Sequence, residues 1–355
     1  MASFISILVT LQSKNSIRMS KIRVAINGFG RIGRVTFRQI QKNDNIEVIA
    51  INDITDSANL AHLLKYDSVQ GSFEGSIEHN GDHMIINNEK VLVFNQPDPA
   101  LLPWKDLNID VVIESTGQFV ERWQAIKHVE ESGARKVIIS APAKGEVDDV
   151  KYIVLGVNDE LIDRDEVVIS NASCTTNNVA PLIKILDDRW GIEKGFITTV
   201  HSYTKDQNLV DGPHKDWRRG RAAASSIVPT TTGAAKAATK IFPHLLNNLG
   251  GAGIRVPVPD GSLTDLTCTL KKSTSEKEIN EAFKEASIGC LEGILEYTED
   301  PIVSVDVIGN THSAVFDANL TAVLGDKQKF VKVVAWYDNE MGYSTRLVEL
   351  IEKFA

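Results

Sequence analysis

The stretch VVISNASCTTNN, residues 167 to 178, wraps a single thiol in hydroxyl and amide side chains. Cys174 follows a β-branched run and precedes the helical period NNVAPLIKILDD, so the thiol falls at or near a helix N-terminus. Backbone dipoles there stabilise thiolate over thiol, which is what a cysteine nucleophile requires. Ser173, Thr175 and Thr176 could bind an anion or a carbonyl oxygen at the same turn, or simply cap the helix. A thiolate nucleophile also wants a proton acceptor in reach. The chain has eight histidines, His62, His79, His83, His128, His201, His214, His244 and His312. Of these, His201 is the strongest candidate, because it ends the apolar run FITTVH and would point out of a sheet edge. The blander readings are an inert polar-flanked cysteine and a structural histidine at a strand end.

A second cluster belongs to phosphate chemistry. GFGRIG places Gly28, Gly30 and Gly33 on a G-x-G-x-x-G spacing between the β-rich KIRVAIN and the helical RVTFRQIQKN. Glycine there permits a tight turn, backbone approach to a pyrophosphate and close helix packing, and the helix N-terminus supplies donors to the phosphates. Asp53 closes the next β-rich run, IEVIAIND, where a carboxylate can bond a ribose hydroxyl. Together these predict a dinucleotide site.

The elements that must position these residues follow an α/β pattern. After the first βαβ unit come strand candidates at VVIES (111–115), KVIIS (136–140) and YIVLGVN (152–158), with a helical QAIKHVEESGA between the first two. The reading is a Rossmann-type, doubly wound parallel sheet up to about Ser170. Beyond Cys174, FITTVHSYT, DLTCTLKK and SAVFDANLTAVLG alternate as antiparallel strands do, which predicts an α+β domain with a mixed, largely antiparallel sheet. STRLVELIEKF (344–354) reads as a terminal amphipathic helix. The expected division is an extension of uncertain status at 1–18, a dinucleotide domain at 19–173 with 338–355, and a catalytic domain at 174–337.

Composition narrows the function. A net charge of −9 gives no general attraction to nucleic acid or acidic membranes. Cys174, Cys268 and Cys290 are too few and too far apart for a disulfide framework or a cysteine zinc site, so no metal is expected and a reducing compartment is. The run FISILV near the start is too short to span a bilayer. It reads as a transit segment or as an extension ahead of a true start at Met19.

With INGFGRIGR, ESTGQF, SNASCTTNN, TTVHSYTKDQ, PTTTGAAKA, RVPVP and WYDNEMGYS in this order, the chain from about Lys21 resembles the phosphorylating, NAD-dependent glyceraldehyde-3-phosphate dehydrogenases. The resemblance implies oxidation of glyceraldehyde 3-phosphate with NAD and inorganic phosphate, through a cysteine thiohemiacetal and thioester. It implies Cys174 as nucleophile and His201 as base. It implies phosphate-holding positions at Ser173, Thr175, Thr204, Arg219, Thr232, Gly233 and Arg255. NAD contacts are implied at Gly28, Gly30, Arg31, Ile32, Gly33, Asp53, Thr116, Ser140 and Asn339. A cytoplasmic homotetramer follows from the same resemblance, with the loop 205–226 near a neighbouring subunit's cofactor site. Asn178 stands where the family often has a second cysteine, and Gln96 and Pro97 stand where many members carry an arginine ahead of the aspartate–proline pair. The nearest rival is the related erythrose-4-phosphate dehydrogenase, which SYTKDQ and PTTTGAAKA resemble less well.

Cofactor choice can be read from the end of the second strand. Asp53 is followed by Ile54, Thr55 and Asp56, so a 2′-phosphate would meet like charge with no adjacent arginine, and Gly212 and Pro213 resemble the NAD-using members. NAD should therefore give a much higher kcat/KM than NADP, and Asp53→Ala should narrow the gap mainly by losing NAD. Equal use of both cofactors by the unaltered chain would remove Asp53 from the ribose.

Overall fold

The computed structural model describes residues 21–145, 149–325 and 328–355, so the expectation for residues 1–18 lies outside the described residues. KIRVAIN forms β1 (Ile22–Asn27), the glycine turn leads into α1 (Arg31–Ile40), and the chain returns in β2 (Ile46–Asn52). β1 and β2 pair in parallel from Ile22↔Ile46 to Asn27↔Asn52. The glycines are required by packing. Gly28 has φ +92, and a Cβ there would lie 2.6 Å from the Thr116 nitrogen, while a Cβ on Gly33 would overlap the Gly28 carbonyl oxygen.

The sheet continues through α2 (Ser57–Lys65), β3 (Ile77–Asn80), β4 (His83–Ile86), β5 (Glu89–Phe94), β6 (Val111–Glu114), α3 (Arg122–Ala125), α4 (Lys127–Glu130), β7 (Lys136–Ile139), β8 (Lys151–Tyr152) and β9 (Val168–Ser170). Its strand order is β3-β4-β5-β2-β1-β6-β7-β9-β8, parallel except for the β3-β4-β5 end. The connections run outward in both directions from β1, which leaves a crevice at the carboxyl ends of β1 and β6.

α5 (Cys174–Trp190) begins the second half, followed by β10 (Ile192–Ser202), β11 (Val228–Thr230), α6 (Ala234–Ile241), β12 (Leu249–Val256), β13 (Ser262–Leu270), α7 (Glu276–Ser287), β14 (Leu295–Thr298), β15 (Ala314–Asp317), β16 (Ala322–Leu324) and β17 (Phe330–Tyr337). The sheet order is β11-β12-β10-β13-β17-β15-β14, with β16 also on β17. β10–β12 and β14–β15 pair in parallel, and the other pairs are antiparallel. Alternation in β13 buries Leu266, Cys268 and Leu270 against Val179, Leu182 and Ile183 of α5. α8 (Met341–Phe354) then returns to the first sheet, where Leu347, Leu350 and Ile351 join Phe37 and Ile40 of α1 in one core.

Three sequence expectations are corrected. YIVLGVN is a strand only at Tyr152, because the Asn158 side chain folds back to donate to the Tyr152 carbonyl and accept from the Val154 N–H, both at 2.8 Å, closing a turn. SAVFDANLTAVLG is interrupted at Ala318–Leu320, where the Asp317 carboxylate accepts from the Asn319 N–H at 3.1 Å and starts a 3₁₀ turn. QAIKHVEESGA is two single helical turns, α3 and α4, meeting at Ile126. The β3-β4-β5 meander was not anticipated. Its turn signals were Asn87 and Asn88, at φ 52 and 68, and Gly81 at φ 60.

Candidate active site

One cavity of about 1000 Å³ joins the two sheets. Gly28, Gly30, Arg31, Ile32, Asp53 and Thr116 line it at the carboxyl ends of β1, β2 and β6, and Ser140, Cys174, His201, Thr204, Arg255 and Asn339 line it beyond. Gly33, Ser173, Thr175, Arg219, Thr232 and Gly233 do not line it.

The thiol is aimed by an unusual backbone. Ala172 adopts the left-handed region, φ 53, at a conformational cost of about 1–2 kcal/mol. It swings the chain from β9 into α5, whose N-cap is Ser173, with the Ser173 hydroxyl accepting from the Thr176 N–H at 3.1 Å. Cys174 is then the first helical residue. Its Sγ lies 3.5 Å from His201 Nε2. β10 and β12 run in a register that sets His201 directly beside Arg255. His201 Nδ1 is 2.8 Å from the Ser202 carbonyl, and Arg255 Nη1 donates to that carbonyl at 3.0 Å while crowding Nδ1 at 2.5 Å. Arg255 can only donate, so Nδ1 either donates to the Ser202 carbonyl or accepts from Arg255, and the tautomer with its proton on Nδ1, held by Ser202, is the one that leaves the Nε2 lone pair facing the thiol.

Electrostatics differ from the sequence expectation. Burial pushes the Cys174 thiol above its ordinary value, and Arg255 and the Thr175 hydroxyl and N–H pull it down without overcoming that. The helix start alone therefore does not make the resting thiol a thiolate. Burial, and then the neighbouring Arg255, bring His201 down to about 3, so the imidazole is neutral at working pH. Asp260, buried beside Asp338 and Glu340, is pushed up to about 9 and holds a proton.

Several side chains are committed elsewhere. Thr175 shares its hydroxyl with Tyr337 at 2.9 Å, and Thr204 is bonded to Asp206. Arg219 is paired with Asp206 and Asp216, and Arg31 with Asp67 and Glu340. The Asp53 carboxylate accepts from the N–H groups of Phe29 and Thr55, at 2.8 and 3.0 Å, which ties it to the glycine turn. Asn339 Oδ1 accepts from Ser202 and Ser262 at 2.9 and 2.7 Å, so its Nδ2 is the end left for the cavity. Sequence reasoning missed Tyr337, which bonds both Thr175 and Thr199 and lies edge-on to His201 at 5.9 Å. The motif WYDNEMGYS contained it, but nothing in the local pattern marked its hydroxyl.

A doubly wound sheet whose carboxyl edge opens on such a cavity is the architecture of a dinucleotide-binding protein. Residues 22–122 match the family described as "Glyceraldehyde 3-phosphate dehydrogenase, NAD binding domain", and residues 173–339 match the C-terminal domain of the same description. The chain belongs to the glyceraldehyde-3-phosphate dehydrogenase family. It is 54% identical over 332 residues to glyceraldehyde-3-phosphate dehydrogenase of Thermotoga maritima, covering 93% of this chain and 98% of that one. It is 53% identical over 337 residues to the Mycobacterium avium protein of that name, covering 93% and 97%. To glyceraldehyde-3-phosphate dehydrogenase 2 of Bacillus subtilis it is 51% identical over 336 residues, covering 94% and 97%.

The buried imidazole has a consequence for stability. Between its ordinary 6.5 and about 3, the unfolded chain binds a proton that folded His201 refuses. Its contribution is therefore complete above pH 6.5 and lost as pH falls, by up to about 1.4 kcal/mol per pH unit. Asp260 acts oppositely, contributing most below its ordinary 3.8 and losing that contribution as pH rises toward about 9. Urea unfolding of the wild type and of His201→Asn between pH 4 and 7 should show a flatter acid limb in the variant. Identical limbs would contradict a neutral buried imidazole.

Proposed function

We propose that the chain oxidises D-glyceraldehyde 3-phosphate with NAD and inorganic phosphate to 1,3-bisphosphoglycerate, by way of a thiohemiacetal and a thioester on Cys174. The observation that carries this reading is the contact between Cys174 Sγ and His201 Nε2, at 3.5 Å, in a cavity that also holds the glycine turn and Arg255.

The residues present suit NAD. A Cβ on Gly30 would meet nothing within 4 Å, so the turn offers bare backbone to a pyrophosphate. Gly28, Gly30, Arg31 and Ile32 would hold that group, with Gly33 packing the helix behind it. Asp53 would take the adenosine ribose, Thr116 and Ser140 the cavity wall, and Asn339 Nδ2 the nicotinamide amide. NAD supplies the hydride acceptor when bound.

Cys174 Sγ adds to the aldehyde carbon, forming a C–S bond as the C=O π bond opens onto oxygen, and the Cys174 backbone N–H stabilises the oxyanion that forms. The thiol proton passes by way of His201 to that oxygen, which gives the thiohemiacetal hydroxyl and leaves His201 neutral. His201 Nε2, with Nδ1–H held on Ser202, takes the proton from the thiohemiacetal hydroxyl as the hydride leaves carbon, giving the thioester. A phosphate oxygen then attacks that carbon, the C–S bond breaks, and the acyl phosphate departs. Among the described residues Arg255 has no carboxylate within ion-pair distance, so its charge is free for a substrate phosphate, with Thr204 on the same wall. The further phosphate positions that the family resemblance implies, Ser173, Thr175, Thr232 and Gly233, lie outside the cavity lining. Arg219 would exchange Asp206 and Asp216 for phosphate.

On this reading residues 19–173 with 338–355 form the NAD-binding unit and 174–337 the catalytic unit. The enzyme works as a homotetramer in the cytoplasm. The exposure of Leu209, Val210 and Trp217, at 75%, 71% and 88%, supports a neighbouring subunit over the loop 205–226.

NADH formation from glyceraldehyde 3-phosphate should require phosphate or arsenate and exceed that from erythrose 4-phosphate. Cys174→Ser should abolish it while NAD binding persists. Arg255→Leu should lower kcat/KM for the phosphorylated aldehyde by roughly 10–100-fold, the loss expected for a charge-assisted bond, and leave unphosphorylated glyceraldehyde little changed. Phosphate-independent turnover, or an equal loss on both aldehydes, would contradict the assignment.

A further inference from the structure

Glu114 ends β6 behind the cavity wall, 1% exposed and absent from the lining. Among the described residues it has no lysine or arginine within ion-pair distance, and its only charged-type contact is His128. What it has instead is four donors. Trp104 Nε1–H can only donate, and it does so to His128 Nδ1 at 2.9 Å. Nδ1 therefore carries a lone pair, and His128 donates from Nε2 to Glu114 Oε2 at 3.2 Å. Asn52 donates to Asn27 Oδ1 at 2.7 Å, which turns the Asn27 amide nitrogen onto the same Oε2 at 2.5 Å. On the other side, Oε1 accepts from the N–H and the hydroxyl of Thr116, at 2.9 and 2.5 Å.

Asn27 and Thr116 both line the cavity, and neither is free to turn. The Thr116 hydroxyl, with its proton on Glu114, accepts from the Gln118 N–H at 3.0 Å, and Ser115 Oγ donates to the Gly28 carbonyl at 2.7 Å. The turn after β6 is thus fastened to the glycine turn after β1. We propose that Glu114 is a positioning residue for the dinucleotide: it acts through Thr116 and Asn27 to hold the wall against which NAD binds, and His128 and Trp104 orient it from behind. A buried acceptor with four matched donors fixes geometry in a way that no apolar residue of the same volume could.

The proposal rests on the cavity taking NAD, which the wild-type Kd for NAD tests separately. Glu114→Gln offers two acceptor positions and two donors where four acceptor positions are needed. It should raise Kd and KM for NAD by about tenfold. Alkylation of Cys174 by iodoacetamide in cofactor-free protein should keep the wild-type rate. His128→Leu, remote from the cavity, should weaken NAD several-fold. His128→Gln, which can accept from Trp104 at one end and donate to Glu114 at the other, should restore it. Unchanged NAD affinity in Glu114→Gln, a parallel loss of affinity and alkylation rate, or His128→Gln as weak as His128→Leu would each overturn the proposal. If Glu114→Gln does not fold, the two His128 variants decide it.

Discussion

The structure of the site depends on one contact, Cys174 Sγ against His201 Nε2, whose partners arrive from different elements. The thiol is delivered by the left-handed residue Ala172 and the N-cap Ser173, and the imidazole by the last turn of side chains on β10. Register is the constraint behind the second delivery. Because side chains alternate along a strand, a one-residue slip of β10 would turn His201 to the opposite face and break its alignment with Arg255. Pairing with β13 on one side and β12 on the other leaves no room for such a slip.

Charge is distributed to match. The chain is acidic overall, yet the thiol end of the cavity has a half-buried guanidinium, Arg255, in contact only with neutral groups among the described residues. Arg31, at the dinucleotide end, is held between Asp67 and Glu340 instead. The uncompensated positive charge therefore lies where a phosphorylated aldehyde would need it. Burial keeps His201 neutral and the Cys174 thiol raised, so at rest the pair is a neutral imidazole beside a protonated thiol rather than an ion pair. Tyr337 braces this arrangement, tying Thr175 of α5 to Thr199 of β10.

Much of this was legible in the sequence, and the reasons are local. GFGRIG needs glycine for steric causes that act over a few residues, and Asp53 lies at the end of the strand that pairs with the first one. The Cys174 turn was readable because helix periodicity begins just after it. The strand ends at Tyr152 and Asp317 were not, because each is decided by a side chain, Asn158 or Asp317, that folds back on nearby backbone. Nor could periodicity assign a role to Glu114, His128 and Trp104, which lie ten or more residues apart and meet only when the sheet has formed. The direction of the thiol shift was missed for a similar reason. Dipole arguments are local, whereas burial depends on both sheets closing over the site.

The most direct test of the account is to trap the intermediate. The protein would be mixed with NAD and glyceraldehyde 3-phosphate in phosphate-free buffer, quenched in acid and digested, and the peptides examined by mass spectrometry. A 3-phosphoglyceroyl thioester on the peptide containing Cys174, absent without NAD and discharged on adding phosphate before the quench, is the predicted result. NADH formation with no such adduct, or an adduct on Cys268 or Cys290 instead, would contradict it.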